Sequence, residues 1–134
     1  MEDLRFFQLA IQRIYSLHEK FSFMAEPTLA QVFGANATQT STDIVIKKSD
    51  LSGVGLTADA NNSAESLLVA INLKAKEGLT EDARDINIDQ SVALADGFSP
   101  SITTRNNAIY LRNTISIEVD KLLEGADVID PDDY

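Results

Sequence analysis

The sequence predicts an α+β domain, namely a small, mainly antiparallel sheet with one packed helix and a separate N-terminal helical arm. Two patterns support this fold class. Residues 108–119 alternate between apolar and polar side chains, as in a strand with one face on a core. Residues 63–77 carry apolar side chains at helical spacing between residues that favour helix ends. The length of 134 residues is typical of one domain with a core of its own.

The composition narrows the class of partner. The chain has 11 basic and 21 acidic residues, a formal net charge of −10 and no cysteine. A surface this negative repels phosphate backbones, so we expect no direct nucleic-acid partner. The lack of cysteine excludes disulfides and thiolate chemistry. No apolar run approaches the roughly 18 residues of a membrane span, and no signal peptide is evident. We therefore expect a product of the cytoplasm with no membrane partner.

Residues 1–23 are predicted to form the helical arm. Large apolar side chains recur at spacings of three and four residues, which places them in one stripe along a helix. An isolated helix of this length is marginal in water, so the stripe must pack either on its own domain or on a neighbouring subunit. Because the arm has no net charge and precedes a polar segment, we favour packing on another chain. The stripe consists of Leu4, Phe7, Ile11, Ile14 and Phe21.

Residues 24–42 are predicted to be a linker. Within them, residues 29–33 are compatible with one short helical turn closed by Gly34. The small and polar residues 35–42 that follow are typical of a connection between two units. Translation could start at Met24 as well as at the first residue, which would make the arm an addition to an autonomous domain.

Residues 43–123 are predicted to form the domain. Asn62 is the expected N-cap of its helix, with Glu65 three residues on, and Gly78 is the expected residue just after the helix. The remaining elements are a strand over 43–48, a loop or weak edge strand over 51–57, a charged loop over 80–89, and short strands over 91–95 and 102–105.

The predicted strand over 108–119 is expected at the centre of the sheet. At about 3.3 Å per residue it would be about twice as long as an ordinary strand. We therefore expect a bend or bulge near Asn113, where the apolar row is interrupted. The residues expected on the core face are Ile109, Leu111, Ile115, Ile117 and Val119.

The open face of the same strand supplies two candidate interface residues. Tyr110 and Arg112 lie on it, and tyrosine and arginine are enriched at the centres of protein interfaces. An ordinary solvated strand face is the competing interpretation. Asn106 and Asn107 precede the strand and predict a tight hairpin turn, because asparagine tolerates positive φ.

Residues 124–134 are predicted to be a solvated acidic tail. The segment combines several carboxylates with no basic residue. It lacks the alternating ligands, the central glycine and the closing glutamate of an EF-hand loop, so we expect no calcium site there.

The residue sets of common enzymes and cofactor sites are missing from the sequence. His18 is the only histidine and lies in the N-terminal stripe. We therefore expect neither a histidine-dependent catalytic triad nor an imidazole-based zinc site. Gly53 and Gly55 lack the third glycine of a dinucleotide motif, and no Walker lysine follows them. A hydrolase relying on carboxylates alone is the least favoured class. We expect a non-enzymatic protein with no cofactor, no catalytic residues and no bound metal.

Three stretches resemble small uncharacterised virion structural proteins of bacteriophages and prophages. They are TLAQVFGANATQ at 28–39, NNSAESLL at 61–68 and ITTRN at 102–106. The resemblance implies a structural subunit of a phage particle, either a capsid cement (decoration) protein or a tail or neck component. Such a protein would be made in the bacterial cytoplasm, reside in the virion and bind copies of itself, as a homo-oligomer, and other virion proteins. The alternative, suggested by the charge, is an acidic adaptor that occupies a basic surface of a partner protein.

Overall fold

The structure, a computed structural model, describes residues 25–123 and 128–134. The predicted arm over residues 1–23 therefore lies outside the described residues, as do residues 124–127 of the predicted tail. Helices and small antiparallel sheets make up the described part, which confirms the α+β class. The helices are α1 (Leu29–Phe33), α2 (Ala64–Gly78) and α3 (Glu81–Ile86), and 3₁₀ helices cover Lys48–Val54 and Pro131–Asp133. The strands are β1 (Thr38–Gln39), β2 (Ile44–Val45), β3 (Val92–Asp96), β4 (Ser101–Arg105), β5 (Ala108–Arg112) and β6 (Ile115–Val119).

The strands pair in three two-stranded antiparallel sheets, β1 with β2, β3 with β6, and β4 with β5. The prediction of one central strand over 108–119 is wrong, because β5 and β6 belong to different sheets and each has a single partner. The expected interruption near Asn113 is confirmed, since Asn113 and Thr114 separate the two strands.

The interruption has a simple geometric cause. Residues 97–100 on one side oppose only residues 113–114 on the other, so the regular ladder cannot continue between the two sheets. One backbone hydrogen bond spans this region, from the Gly97 N–H to the Thr114 carbonyl at 2.7 Å. A Cβ on Gly97 would lie 2.8 Å from the Thr114 Cβ, so glycine permits this close approach. Strands β3 to β6 thus form one long hairpin with a break in its middle.

The predicted helix over 63–77 is confirmed as α2, with both ends one residue later. Its N-cap is Ser63, whose side chain accepts a hydrogen bond from the Ser66 N–H at 3.1 Å. The prediction of Asn62 as the cap is wrong, because the Asn62 side chain bonds instead to the preceding loop, at Thr57 and Asp59.

Helix α2 contributes to two small core clusters. Near its middle, Ala70 packs with Leu51 and Leu56, and near its end Ala75 packs with Leu79 and Leu94 of β3. Alanine at both positions lets the neighbouring segments approach the helix closely. A loop or edge strand was predicted over residues 51–57, but the first part of this range belongs to the 3₁₀ helix Lys48–Val54. Leu51 of that helix is buried, with 2 % of its surface exposed.

Helix α1, inside the predicted linker, packs against α2, whereas residues 38–45 are all exposed. The short helix closed by Gly34 is confirmed as α1, and its Val32 packs on the second core cluster. Asn36 donates two hydrogen bonds of 2.9 Å to the Asp50 carboxylate, one from its backbone and one from its side chain. The predicted strand over 43–48 is limited to β2, since a 3₁₀ helix begins at Lys48.

Candidate protein-binding surfaces

The first candidate surface is the apolar face of the β4–β5 hairpin. Its turn residues, Asn106 and Asn107, have φ values of 49° and 63°, as the predicted two-residue turn requires. The strand register places three large aliphatic side chains on one face of the hairpin. They are all more than half exposed, namely Ile102 (75 %), Ile109 (77 %) and Leu111 (65 %). We refer to these three residues as the apolar hairpin face.

The opposite face of the hairpin is basic and aromatic. The Arg105 guanidinium lies over the Tyr110 ring, 4.5 Å from its centre, which is a cation–π geometry. Arg112 pairs with Ser101 across the two strands and is exposed. The structure thus places Tyr110 and Arg112, the two predicted interface residues, on one face of a hairpin that is open to solvent. The other five, in the N-terminal stripe, lie outside the described residues.

The hairpin has little support from the rest of the described chain. Strands β4 and β5 contact each other along their whole length and make few contacts with other elements. A two-stranded hairpin by itself is marginally stable in water. Its apolar face is also not on a core, so the prediction that Ile109 and Leu111 face inward is wrong. A partner on this face would bury apolar area and stabilise the hairpin at the same time.

The second candidate surface is an open cleft of about 700 Å³ between α3, the segment after β6 and the C-terminal 3₁₀ helix. Two aliphatic side chains in its lining are almost fully exposed, Ile88 (90 %) and Leu122 (81 %). Carboxylates of Asp85, Asp120 and Asp133 also line it. We refer to this site as the α3 cleft.

Arg84 organises one wall of the α3 cleft. Its Nη1 donates to Glu118 Oε1 of β6 at 3.0 Å, and its Nε lies 3.8 Å from carboxylate oxygens of both Asp85 and Asp120. The hydrogen bond from Arg84, helped by its charge, holds the pKa of Glu118 below its ordinary value. The same hydrogen bond raises the pKa of Arg84. The pair therefore fixes α3 against β6 with both groups ionised at neutral pH.

Lys121 organises the opposite wall. Its Nζ donates to the Val128 carbonyl at 2.9 Å and to the Asp133 carboxylate at 3.0 Å. The predicted tail therefore has a contact with the domain, although Val128 and Ile129 are themselves 67 % and 70 % exposed. These contacts place Asp133 at the edge of the cleft.

The described residues define the chemistry available at these surfaces. Across residues 25–123 and 128–134, no group of three or more histidine, cysteine, aspartate or glutamate side chains is placed to hold a metal ion. Within the same ranges, no helix has the length and apolar content needed to cross a membrane. The hairpin has exposed aliphatic groups on one face and arginines on the other, and the α3 cleft combines exposed aliphatic groups with charges of both signs.

The sequence analysis missed the α3 cleft, because it predicted a charged loop over residues 80–89. The signals of a helix were present there. Thr80 is the N-cap and accepts from the Ala83 N–H at 3.1 Å, while Glu81 and Asp82 lie in the first turn, where the helix dipole favours acids. The cleft itself is formed by segments far apart in the chain, so no local pattern indicates it.

Compared with models of known protein families, with curated proteins and with solved structures, this chain gives no significant match. Its function is therefore argued from its own surfaces and residues.

Proposed function

We propose that this protein is a non-enzymatic structural subunit of a phage particle, acting by protein–protein assembly. The observation that supports assembly is the apolar hairpin face, whose three aliphatic side chains are 65–77 % exposed. Monomeric soluble proteins rarely leave contiguous apolar patches of large size in water, and such patches mark interaction sites. The hairpin that carries the face is also weakly supported by its own chain.

The assignment to a phage particle rests on the resemblance of residues 28–39, 61–68 and 102–106 to virion structural proteins. A capsid cement protein or a tail or neck component both fit that resemblance. In either role the protein is made in the bacterial cytoplasm and works in many copies, bound to itself and to other virion proteins.

The alternative is an acidic adaptor that binds a basic surface of one partner protein. The observation that favours it is the exposure of the C-terminal residues, where the side chains of Asp130 and Asp132 face solvent. In this alternative the tail makes the contact, and the apolar hairpin face has no assigned role.

Two measurements test the proposal. Immunoblotting of density-banded particles from the strain that encodes the protein should detect it in a constant ratio to the major capsid protein. Size-exclusion chromatography with light scattering should show a homo-oligomer. Absence from the banded particles contradicts the phage assignment, and a monomer that captures one basic protein supports the adaptor.

A matched pair of variants links the assembly to the hairpin. Ile109→Thr removes an exposed aliphatic group from the apolar hairpin face while keeping a residue that favours strands. Ile44→Thr makes the same change in β2, where Ile44 is 54 % exposed. We expect the first variant to weaken assembly and the second to leave it unchanged. Equal effects of both would remove the hairpin from the interface.

A further inference from the structure

We propose that residues 21–24 dock in the α3 cleft of their own chain, with the rings of Phe21 and Phe23 on its exposed aliphatic side chains. This segment reads Phe-Ser-Phe-Met and immediately precedes Ala25, the first residue that the structure describes. The docking is independent of the proposed function and gives one of the two candidate surfaces an occupant within the same chain.

The described chain begins at the edge of the cleft. Asn87, which lines the cleft, donates a hydrogen bond from its side-chain Nδ2 to the Ala25 carbonyl at 3.1 Å. The Oδ1 atom of Asn87 accepts from the Asp89 N–H at 3.1 Å, so the orientation of its side chain is fixed from both sides. On the C-terminal side of Ala25, α1 is capped by Thr28 and packs on α2. The point from which residues 21–24 extend is therefore held beside the cleft.

The two phenylalanines are close enough to this point to enter the cleft. A chain spans at most about 3.6 Å per residue, so the Cα atom of Phe23 lies within about 7 Å of that of Ala25, and the Cα atom of Phe21 within about 14 Å. The cleft volume of about 700 Å³ is in the range of about 300–1,000 Å³ that accommodates drug-sized ligands. A segment tethered over so few residues has an effective concentration in the millimolar range, which favours it over a separate molecule.

The charges of the cleft favour an uncharged occupant. Its acidic and basic side chains already pair with one another, at distances of 3.0–3.8 Å. A charged group that entered would compete with these pairs and would meet like charges as well as opposite ones. Residues 21–24 contain no charged side chain, so they leave every pair intact. The pairs are Arg84 with Asp85 and Asp120, and Lys121 with Asp133.

The apolar surface of the cleft favours aromatic side chains. Ile88 and Leu122 are 90 % and 81 % exposed and offer aliphatic surface to a ring. A phenylalanine ring buries a large apolar area, and its face also attracts cations such as those of Arg84 and Lys121. Within residues 25–123 and 128–134, neither core cluster includes Ile88 or Leu122. The docking therefore covers an existing surface and is not required for the domain to fold.

The docking divides the predicted arm into two parts. Phe21 occupies the cleft of its own chain, whereas the other apolar residues of the stripe remain for packing on a neighbouring copy. The cleft is then closed to outside partners, which leaves the apolar hairpin face as the exposed candidate surface of the described domain. The remaining stripe residues are Leu4, Phe7, Ile11 and Ile14.

Protection of an engineered thiol in the full-length protein tests the docking. Because the chain has no cysteine, Ile88→Cys introduces a single thiol into the cleft. Labelling of this thiol by a maleimide should be slow while residues 21–24 are docked. Replacing both rings, by Phe21→Ser and Phe23→Ser, should speed the labelling by at least about tenfold. Comparison within one background removes the effect of neighbouring charges on thiol reactivity.

Matched controls change a different thiol position or different rings. The thiol of Ile44→Cys lies in β2, where the native side chain is 54 % exposed, so the two serine changes should leave its labelling rate unchanged. In the Ile88→Cys background, Phe6→Ser with Tyr15→Ser replaces two aromatic side chains earlier in the arm and should leave the cleft thiol slow. Circular dichroism melting checks that every variant is folded, and Leu122→Cys replaces Ile88→Cys if the latter is not folded.

The labelling rates distinguish this docking from other occupants of the cleft. Faster labelling caused only by the changes at Phe21 and Phe23 supports it. If the thiol of Ile88→Cys labels as fast with both rings as without them, the docking is overturned. Protection that appears only as the protein concentration rises assigns the occupant to a neighbouring copy, and equal exposure by the control pair of ring changes assigns it to another part of the arm. Both results overturn the docking as well, whereas the banded particles decide the proposed function separately.

Discussion

Replacing Gly78 by alanine tests how α1 packs against α2. Gly78 is the last residue of α2, and a Cβ there would overlap the carbonyl oxygen of Gln31 in α1. The same Cβ would lie 2.8 Å from the Gln31 carbonyl carbon. These are backbone atoms, so they cannot rotate aside as the end of a side chain would. The two helices would have to separate to accommodate one methyl group.

Two opposing effects determine the size of the change. Alanine is favoured over glycine within a helix by up to about 1 kcal/mol. Overpacking of a closely packed site costs about 1–3 kcal/mol, and contact with backbone favours the upper half of that range. We therefore expect Gly78→Ala to lower the free energy of unfolding by about 1–2 kcal/mol. For a chain of this size the melting temperature should fall by about 4 °C per kcal/mol.

Thermal and urea denaturation followed by circular dichroism measure the loss. Gly53→Ala is the matched control, because nothing lies within 4 Å of a Cβ at Gly53. It should leave stability unchanged or raise it by about 0.4–1 kcal/mol, through the lower entropy of the unfolded chain. If Gly78→Ala is as stable as the wild type or more stable, the close contact between α1 and α2 is refuted.

Four further predictions concern the core, the Arg84 ion pair and the two ends of the chain. Leu51→Ala should cost about 2–5 kcal/mol in urea denaturation, because Leu51 is 2 % exposed and its truncation leaves a cavity. Glu118→Gln should lower the melting temperature at pH 7, and its difference from the wild type should shrink progressively as the pH is lowered below the ordinary glutamate pKa. The contribution of the pair is present above the ordinary glutamate pKa and is lost as the pH falls through the lowered pKa of Glu118. Residues 24–134 expressed alone should fold with near-wild-type stability and lose assembly; aggregation would instead assign the arm to the core. Deleting residues 125–134 should leave the fold intact, since the aliphatic side chains described there are 67 % and 70 % exposed; a loss of many degrees in melting temperature would contradict this.

Local signals account for the elements that were predicted correctly. Helix α2 was predicted from its apolar spacing and its expected end residues. Its bounds differ from the prediction by only one residue, although its N-cap is Ser63 and Gly78 is the last residue of the helix, not the residue after it. The turn at Asn106 and Asn107 was predicted from residue type alone, because few residues other than glycine tolerate positive φ at two successive positions. Signals of this kind act within a few residues of the chain, so the sequence displays them directly.

The partners of the strands could not be predicted in the same way. Alternation over residues 108–119 placed Ile115, Ile117 and Val119 on one face of β6, but only Ile115 and Val119 are half-buried as expected, whereas Ile117 is 55 % exposed. It did not indicate whether that face is covered, and Ile109 on the same side of the pattern is 77 % exposed. Burial depends on distant segments, which a period-two pattern does not identify.

Only part of the two candidate surfaces could be predicted, because the rest depends on segments that are distant in sequence. Tyr110 and Arg112 were selected by residue type, and the structure places both on an exposed hairpin. The α3 cleft combines Ile88 with Leu122, more than thirty positions away in sequence, so their proximity depends on the pairing of β3 with β6. No property of either residue alone indicates that proximity.

The break between the two sheets of the long hairpin leaves the β4–β5 hairpin joined to the β3–β6 sheet through a narrow connection. The direction of the β4–β5 hairpin depends on Gly97 and Thr114, which share one backbone hydrogen bond of 2.7 Å and approach each other closely. A tilt of about 10° at this connection would displace the turn of the hairpin, about 17 Å away, by about 3 Å. A substitution at Gly97 would therefore change the direction in which the apolar hairpin face points without altering any residue of that face.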